Sequence, residues 1–452
     1  MISITLPSKV ESILRTLREA GFEAYVVGGC VRDSLLGRIP GDWDITTSAR
    51  PQIVQKLFRR TVATGIKHGT VTVMLGAEGF EVTTYRSDGS YSDGRHPDSV
   101  SFVSSLREDL SRRDFTVNAM AYSPEEGLID LFGGMADLKE KRIRAVGNPE
   151  KRFTEDALRM LRAVRFCAQL GFGIEYETFA AIRLLAGRLN LVSKERIRDE
   201  INKLLLSEHP EYFEILANAG ISAVIMPRFD EMLATPQHSP FHIYDVGHHT
   251  LEVLKAAPPT LLQRLTALLH DTGKVEARTT DTNGIDHFKG HPALSAVYTR
   301  DFLREYRYDN KTVEQVTHLV EVHDIRVKPT VPNVRRLIVA VGEELFPDFL
   351  TFILADNRGK GPLSHLEFAP RYEGTVKAYE EILRNGDPLN LKALAVGGGD
   401  LMAAGIKPGK EMGEILQRML EDVLEEPSHN TKEYLIEHFC GKAGQIPFHR
   451  DC

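Results

Sequence analysis

Cysteine is scarce. The four residues, Cys30, Cys167, Cys440 and Cys452, are scattered and form no CxxC pair. This argues against a disulfide framework or a zinc ribbon and fits a reducing cytoplasm. Tryptophan occurs once, at Trp43. No apolar run reaches the roughly 20 residues of a membrane-spanning helix, so no membrane partner is expected. The opening segment, MISITLPSKVESILRTLREAGF, interrupts its apolar positions with charges and does not read as a secretory leader. Repeats and low-complexity tracts are missing. Positive charge is not in surplus: 56 Lys and Arg stand against 63 Asp and Glu, a net charge of −7. That argues against a nonspecific nucleic-acid coat, but not against a local basic patch gripping one RNA. What is present is ordinary for a globular chain, 42% hydrophobic and 26% charged over 452 residues, long enough for about three domains.

The first 150 residues alternate in type. Val10, Ile13, Leu14 and Leu17 recur at helical spacing, and Gly21 follows as a stop. AYVV (24–27) reads as a strand, GG (28–29) as a tight turn and VRDSLLG (31–37) as a short helix. A strand carrying Asp42 and Asp44 follows, then a helix over PQIVQKLFRR (51–60). GTVTVML and FEVTTY alternate around GAEG, the pattern of a β-hairpin. RSDGSYSDGRHPDSV (86–100) has no apolar period and is expected to be a mobile loop. Beyond about residue 150 helical periodicity takes over almost without strands.

The stretch GDWDITTSARP (41–51) places two carboxylates one residue apart. On a strand, residues i and i+2 share a face, roughly 6–7 Å apart. Like charges so close repel unless a cation sits between them, and hard oxygen ligands suit Mg²⁺, which keeps positions free for phosphate oxygens. Alone, two solvated acids in a polar turn would explain D-x-D equally well. The upstream GGCVRD changes the balance. Glycines between a strand and a helix let backbone N–H groups approach phosphate, and Arg32 adds a charged fork. The combination fits phosphoryl transfer with metal ions bridging carboxylates and phosphates.

These segments, with FEVTTYR, LSRRDFTVNAM, RFTEDALRMLRAVRF, SKERIRDEINKLL and LAVGGGDLMAAGIKPGKEMG, resemble the nucleotidyltransferase superfamily. The likeness is to its bacterial class II branch of tRNA CCA-adding enzymes and poly(A) polymerases, and it spans nearly the whole chain. It implies that Asp42 and Asp44 are catalytic and hold Mg²⁺. Gly28, Gly29, Arg32 and Asp33 would belong to the nucleotide site. Arg113, Asp114 and Asn118 would contact ribose and phosphates; without the other motifs, Arg112 and Arg113 would be a salt-bridged surface pair. Glu81 is a weaker third acid. The loop at 86–100 resembles the family's flexible loop for switching from C to A addition.

EDALRMLR (155–162) reads as one helix with Thr154 as its N-cap and Glu155 and Asp156 in its first turn. Asp156, Arg159 and Arg162 share a face at i, i+3 spacing. An intrahelical ion pair is the plain reading, worth about a few tenths of a kcal/mol. The resemblance implies more: a carboxylate accepting the amino proton of C or A and a guanidinium donating to the ring nitrogen select those bases without a template. Asp156, Arg159 and Arg162 are assigned this role, and Arg165, one turn on, a phosphate.

A second pattern occupies 238–360: YDVGHHTLEVL, LLHDTGK, KGHPALSA, VEVHD and ILADNRGK. Its order of His, His-Asp, His, His and Asp is similar to the HD phosphohydrolase superfamily. The resemblance implies a metal (Ni, Mn, Co or Mg) on His249, His270, Asp271 and Asp356, with His248 the rival of His249, and His291 and His323 nearby. Imidazole and carboxylate ligands suit such ions. A helical domain with hydrogen-bonded histidines is the plain alternative.

The expected architecture is α+β. A polymerase-beta-like mixed α/β head (1–148) is followed by a helical neck (149–207), a helical body with the HD site (208–375) and a tRNA-binding tail (376–452). The expected activity is template-independent addition of C, C and A to the tRNA 3′ end from CTP and ATP, in the cytoplasm and with no obligate protein partner. Poly(A) polymerase and partial CC or A addition are alternatives from the same class; the chain shows no basic C-terminal run of the poly(A) type. A catalytically dead RNA-binding HD protein is the alternative from another class. Lys139, Lys141, Arg142 and Arg144 are candidates for the RNA backbone, or a solvated charged face.

Overall fold

In the computed structural model, which describes residues 3–66, 69–88, 100–103 and 105–440, the apolar residues Val10, Ile13, Leu14 and Leu17 form the buried stripe of α1 (Ser8–Glu19). Gly21, at φ +85°, lets the chain leave that helix. Two compact units divide the chain, Met1–Asp230 and Glu231–Cys452.

The first unit is built on a seven-stranded mixed sheet. Its strands are β1 (Ala24–Val27), β2 (Ile45–Thr47), β3 (Thr61–Gly65), β4 (Thr70–Leu75), β5 (Glu78–Thr84), β6 (Met120–Ser123) and β7 (Gly127–Asp130), in the order β3-β4-β5-β2-β1-β6-β7. Among the described residues of this sheet, only β2 and β5 pair in parallel. All four residues of β1 are buried, as an unbroken AYVV run in a central strand requires. The hairpin β4–β5 turns in two residues after Leu75↔Glu78, with Gly76 at φ +69°, the left-handed geometry such turns use.

Two local expectations are corrected here. Asp42 and Asp44 do not lie within a strand, because β2 begins at Ile45. They occupy the extended segment leading into it, where the Asp44 carbonyl still accepts a hydrogen bond from the Val27 N–H at 3.0 Å. The helix after the Gly-Gly turn starts earlier than expected: α2 covers Gly29–Leu35, with Gly28 at φ +84° before it. At 86–100, Arg86–Asp88 pairs with Val100–Phe102; residues 89–99 lie outside the described residues.

The stretch expected as one helix over 155–162 is two. α3 (Pro149–Glu155) is capped by the Asn148 side chain, which accepts from the Lys151 N–H. The chain breaks at Asp156, and α4 (Leu158–Leu170) ends at Gly171, φ +67°. Thr154 is therefore inside α3 and caps nothing. α5 (Lys194–Leu205) packs near α4, with Ile197, Ile201, Leu204 and Leu205 buried.

The second unit is helical. Its main elements are α6 (Val246–Ala256), α7 (Leu261–Leu269), α8 (His291–Glu305), α9 (Asn310–Val322), α10 (Val331–Val341), α11 (Phe346–Arg358), α12 (Pro362–Asn385) and α13 (Lys410–Glu425). One core joins α9, α10, α11, α12 and α13 through residues such as Leu337, Phe349, Ile382 and Met419. Inside it, Arg335 binds Asp387 at 2.6 Å and the Leu424 carbonyl at 2.8 Å.

Met419 is fully buried in this core and Met402 is 52% exposed. Met419→Ala is expected to cost about 2–4 kcal/mol in urea unfolding and Met402→Ala under about 0.5 kcal/mol. Equal losses would contradict the placement of this core.

Candidate functional site

In the first unit, the segment before β2 and the strand β5 bring three acids to one cleft. Asp42, Asp44 and Glu81 line it together with Trp43, Thr72 and Phe80. Solvent reaches Asp44, yet the protein around it desolvates the carboxyl and pushes its pKa up; Arg113 opposes this and Asp42 adds to it. Glu81 is also pushed up, by burial and then by Asp44 and Asp42. Three carboxylates gathered in one cleft form a hard-oxygen donor set that suits a divalent cation. The residues present therefore fit Mg²⁺.

Gly28 explains how cationic groups reach these acids. A Cβ there would sit 3.0 Å from Nη1 of Arg113, so glycine is needed both for its positive φ and for this approach. Arg113 is also 3.6 Å from Asp109, a fully buried acid that Arg112 binds at 2.7 Å and Thr46 at 3.1 Å. The arginine pair is thus held from behind by Asp109, and Nε of Arg113 is buried without a hydrogen bond.

Behind the turn runs a continuous polar chain. Arg32 donates to both oxygens of Asp33 (2.9 and 3.0 Å) and to Asn118 Oδ1 at 2.6 Å. Asn118 donates to Asp114 at 3.1 Å. Asp114 also accepts the Phe115 N–H at 2.8 Å and, on its other oxygen, two hydrogen bonds from Arg162 at 2.9 and 2.6 Å. Arg165 continues the chain to Glu200 at 2.5 Å and Gln169 at 2.6 Å. The Phe166 ring lies under three guanidiniums, those of Arg32, Arg162 and Arg165, at 5.0, 5.4 and 3.8 Å. Burial alone would raise the Asp114 pKa, but Arg162 and the hydrogen bonds outweigh it and hold the carboxyl well below the usual range.

The expected trio of Asp156, Arg159 and Arg162 is distributed differently. Asp156, at the break between α3 and α4, accepts from the Leu158 N–H at 3.1 Å and pairs with Arg196 at 2.8 Å. Arg159 pairs with Glu155 at 2.9 Å and donates to the carbonyls of Arg152 and Arg112. No Asp156–Arg159 ion pair is present among the described residues. Of the basic candidates at the head's end, Arg142 pairs with Glu140 and Arg144 with the buried Asp137.

The second unit holds a separate cluster. His249 on α6, His270 and Asp271 after α7, His291 at the start of α8, His323 after α9 and Asp356 on α11 are all buried. Each histidine points Nδ1 at a backbone carbonyl: Gly359 (3.0 Å), Ala267 (2.9 Å), Phe288 (2.8 Å) and Val320 (2.6 Å), respectively. That fixes the proton on Nδ1 and leaves the Nε2 lone pair free. The Nε2 atoms of His249 and His270 face each other at 3.3 Å, and so do those of His291 and His323. The four Nε2 atoms thus converge beside two carboxylates as a ligand set for metal, and the residues fit one. The ligand atoms of His249, His270 and Asp271 lie within 4.8 Å of one another, as do those of Asp271, His291 and His323. Asp356 is 3.1 Å from His249. His248 is turned outward to Asp245 at 2.6 Å. Lys274 and Lys360 contact Asp271 (2.8 Å) and Asp356 (2.5 Å). Against burial, His270 and Lys274 hold Asp271 well below the usual carboxylate range; Lys360 and His249 do the same for Asp356. His242 leans on His249, and burial, then Lys274, push its pKa down to about 2.

Several of these side chains escape sequence reasoning: Asp109, Phe166, Arg196, Glu200 and Lys360; Glu155, expected in a first turn, instead ends α3 and pairs with Arg152 and Arg159. A local signal exists for Asp109, three and four residues before Arg112 and Arg113, and for Lys360, four after Asp356. Glu200 and Arg196 are joined to the site only by the packing of α5.

A mixed head sheet presenting acids beside a Gly-Gly turn, followed by helices, is the architecture of a nucleotidyltransferase. Residues 24–144 match the Poly A polymerase head domain, 171–233 the probable RNA and SrmB-binding site of polymerase A, and 291–439 the putative tRNA nucleotidyltransferase domain 2. The CCA-adding enzyme of Levilactobacillus brevis is 36% identical over 95% of this chain and 98% of its own length. That of Lactobacillus helveticus is 37% identical over 95% and 96%. The Bacillus stearothermophilus CCA-adding enzyme, solved in complex with CTP, is 31% identical with a TM-score of 0.69, over 94% of this chain and 96% of that one. The chain belongs to the family of bacterial CCA-adding enzymes, which are tRNA nucleotidyltransferases.

The Asp114 network has a pH signature. Because the folded pKa is lowered, its stabilisation is complete above about pH 4, the unfolded carboxyl value, and is lost as pH falls from there through the folded value. Asp114→Asn is expected to cost about 2–3 kcal/mol at pH 7. The gap between wild-type and variant unfolding curves should narrow below about pH 4. A gap independent of pH would contradict the ion pair.

Proposed function

We propose that this enzyme adds C, C and A to the 3′ end of tRNA from CTP and ATP by two-metal nucleotidyl transfer. The carrying observation is the meeting of Asp42, Asp44 and Glu81 in one cleft of the head. In the reaction, the RNA 3′-oxygen attacks the α-phosphorus, the bond to the β-phosphate breaks, and pyrophosphate leaves. Mg²⁺ held by Asp42 and Asp44 would supply neutralisation of the triphosphate and activation of the attacking hydroxyl. The chain's own residues orient the substrates. The Gly28–Gly29 turn admits phosphate to the backbone, with Arg32 and Asp33 behind it, and Arg113 faces both that turn and Asp44. Asp114 and Asn118 hold the ribose side of the site to Arg162. Asp156, Arg159 and Arg162 read the base, with the acid accepting from the amino group and arginine donating to the ring nitrogen. Arg165 acts through Glu200 rather than on phosphate. The similarity along nearly the whole chain to CCA-adding enzymes supports CCA addition over poly(A) synthesis. Head (1–148), neck (149–207), body (208–375) and tRNA-binding tail (376–452) are the working divisions.

A second activity is favoured by the buried histidines. A divalent metal on His249, His270, Asp271 and Asp356 would supply water activation for phosphate-ester hydrolysis. The four carbonyl-anchored rings keep the ligands in place, and Lys274 and Lys360 offer positive charge to a phosphate.

Transcripts ending at the discriminator base, at C or at CC, given Mg²⁺ with CTP, ATP or both, test the first proposal on a sequencing gel. Extension is expected to stop after CCA and to fall by at least about 10³-fold in Asp42→Ala. A long A ladder, or a stop at CC, would overturn it. Asp271→Asn is expected to abolish metal-dependent hydrolysis of a 2′,3′-cyclic phosphate and to leave CCA addition unchanged. Retained hydrolysis would refute the second activity at this site.

A further inference from the structure

A cavity of about 430 Å³ is lined by four members of the histidine cluster, Asp271, His291, His323 and Asp356, and reaches beyond them. Two arginines, Arg326 and Arg371, stand in that lining. Arg326 is held by Asp324 at 2.8 Å. The guanidinium of Arg371, on α12, has no ion pair or hydrogen bond among the described residues; it stands 5.9 Å over the Phe368 ring. Burial lowers the Arg371 pKa and neighbouring Arg326 lowers it further, while Asp324 and Glu367 oppose them. Among the described residues Asp324 pairs with Arg326 and not with Arg371, so the Arg371 fork keeps its donors open to an anion. The planar forks of two arginines suit the oxygens of a phosphate.

The cavity is not closed at these arginines. Arg326, Glu367 and Arg371 also line a second recess of about 500 Å³, shared with Lys328, Pro329 and Pro370. In the first cavity, Phe241, Phe288 and Phe368 supply apolar area beside the charged groups, which suits a nucleoside. The arginines thus stand where a ligand reaching Asp271 and Asp356 would continue toward Lys328.

We propose that Arg326 and Arg371 form a second phosphate subsite, so that the histidine site takes a nucleotide substrate carrying two phosphates, one over Asp271 and Asp356 and one between the arginines. This rests on the hydrolase reading of the same site. Two sources share that chemistry, the phosphorylated end of an RNA chain and a free nucleoside bisphosphate.

The test uses the full-length protein loaded with Mn²⁺. Hydrolysis is measured for cytidine 2′,3′-cyclic phosphate, with one phosphate, and for a cytidylyl dinucleotide ending in the same cyclic group, with two. Arg371→Ala is expected to raise KM for the dinucleotide about tenfold, the loss of one charge-assisted contact, with kcat and the mononucleotide unchanged. Arg371→Lys should restore part of the loss. Equal effects on both substrates, or none on either, would overturn the subsite. If the wild-type protein cleaves neither, the hydrolase reading fails and calorimetry decides the subsite alone. There, about tenfold weaker binding of the uncleaved dinucleotide to Arg371→Ala supports it and equal affinity overturns it; binding at the head is common to both proteins and cancels. Cytidine 3′,5′-bisphosphate in the same titrations separates the sources. Tighter binding of the dinucleotide marks an RNA end, and tighter binding of the bisphosphate a free nucleotide.

Discussion

The bond between Asp114 and Arg162 is the constraint on which the catalytic unit depends. Asp114 belongs to the head and Arg162 to the helix α4 that follows it, and the carboxylate accepts two hydrogen bonds from the guanidinium. A buried acid in this position is costly unless it is fully paired. Asp114 meets that condition with Asn118, the Phe115 N–H and Arg162, and Asn118 passes the connection to Arg32 behind the Gly-Gly turn. Phe166 supports three of the cations from below. One set of charged hydrogen bonds therefore ties the turn proposed to admit phosphate to the helix proposed to read the base. On the proposed roles, chemistry and base choice share one support rather than two independent ones.

The second unit solves a different problem by a related device. Four imidazoles packed around Asp271 would be interchangeable in tautomer without a second partner. Each has one, a backbone carbonyl on Nδ1, so every Nε2 is left pointing inward. Lysines rather than arginines approach the two acids here. A compact ammonium can pair with a carboxylate and remain free to turn toward a phosphate.

Much of this was legible in the sequence where the signal is local. α1, β1 and the β4–β5 hairpin follow from apolar spacing and turn glycines, and the mixed head followed by helices is the fold observed. The Asp42–Asp44 pair and the His, His-Asp, His, His, Asp order also stand out, because their chemistry is carried by residue type. What escaped was set by distance or by breaks within periodic segments. The apolar repeat of RFTEDALRMLRAVRF runs through Asp156 without interruption, yet the chain breaks there, with Asp156 accepting the Leu158 N–H and reaching Arg196. β6 is buried at all four residues and so shows no alternation. Glu200 is 35 residues from Arg165 in the chain, and nothing in the local pattern marks it as a partner.

The claim that one charged hydrogen-bond set serves both chemistry and base choice is tested most directly by a double-mutant cycle. Asp114→Asn, Arg162→Lys and the double variant are compared in single additions of C and of the disfavoured U to a tRNA transcript. If the two residues act as a unit, the double variant loses no more kcat/KM than the worse single variant, and C-over-U discrimination falls alike in all three. Losses that simply add, with discrimination moved only by Arg162→Lys, would contradict the account.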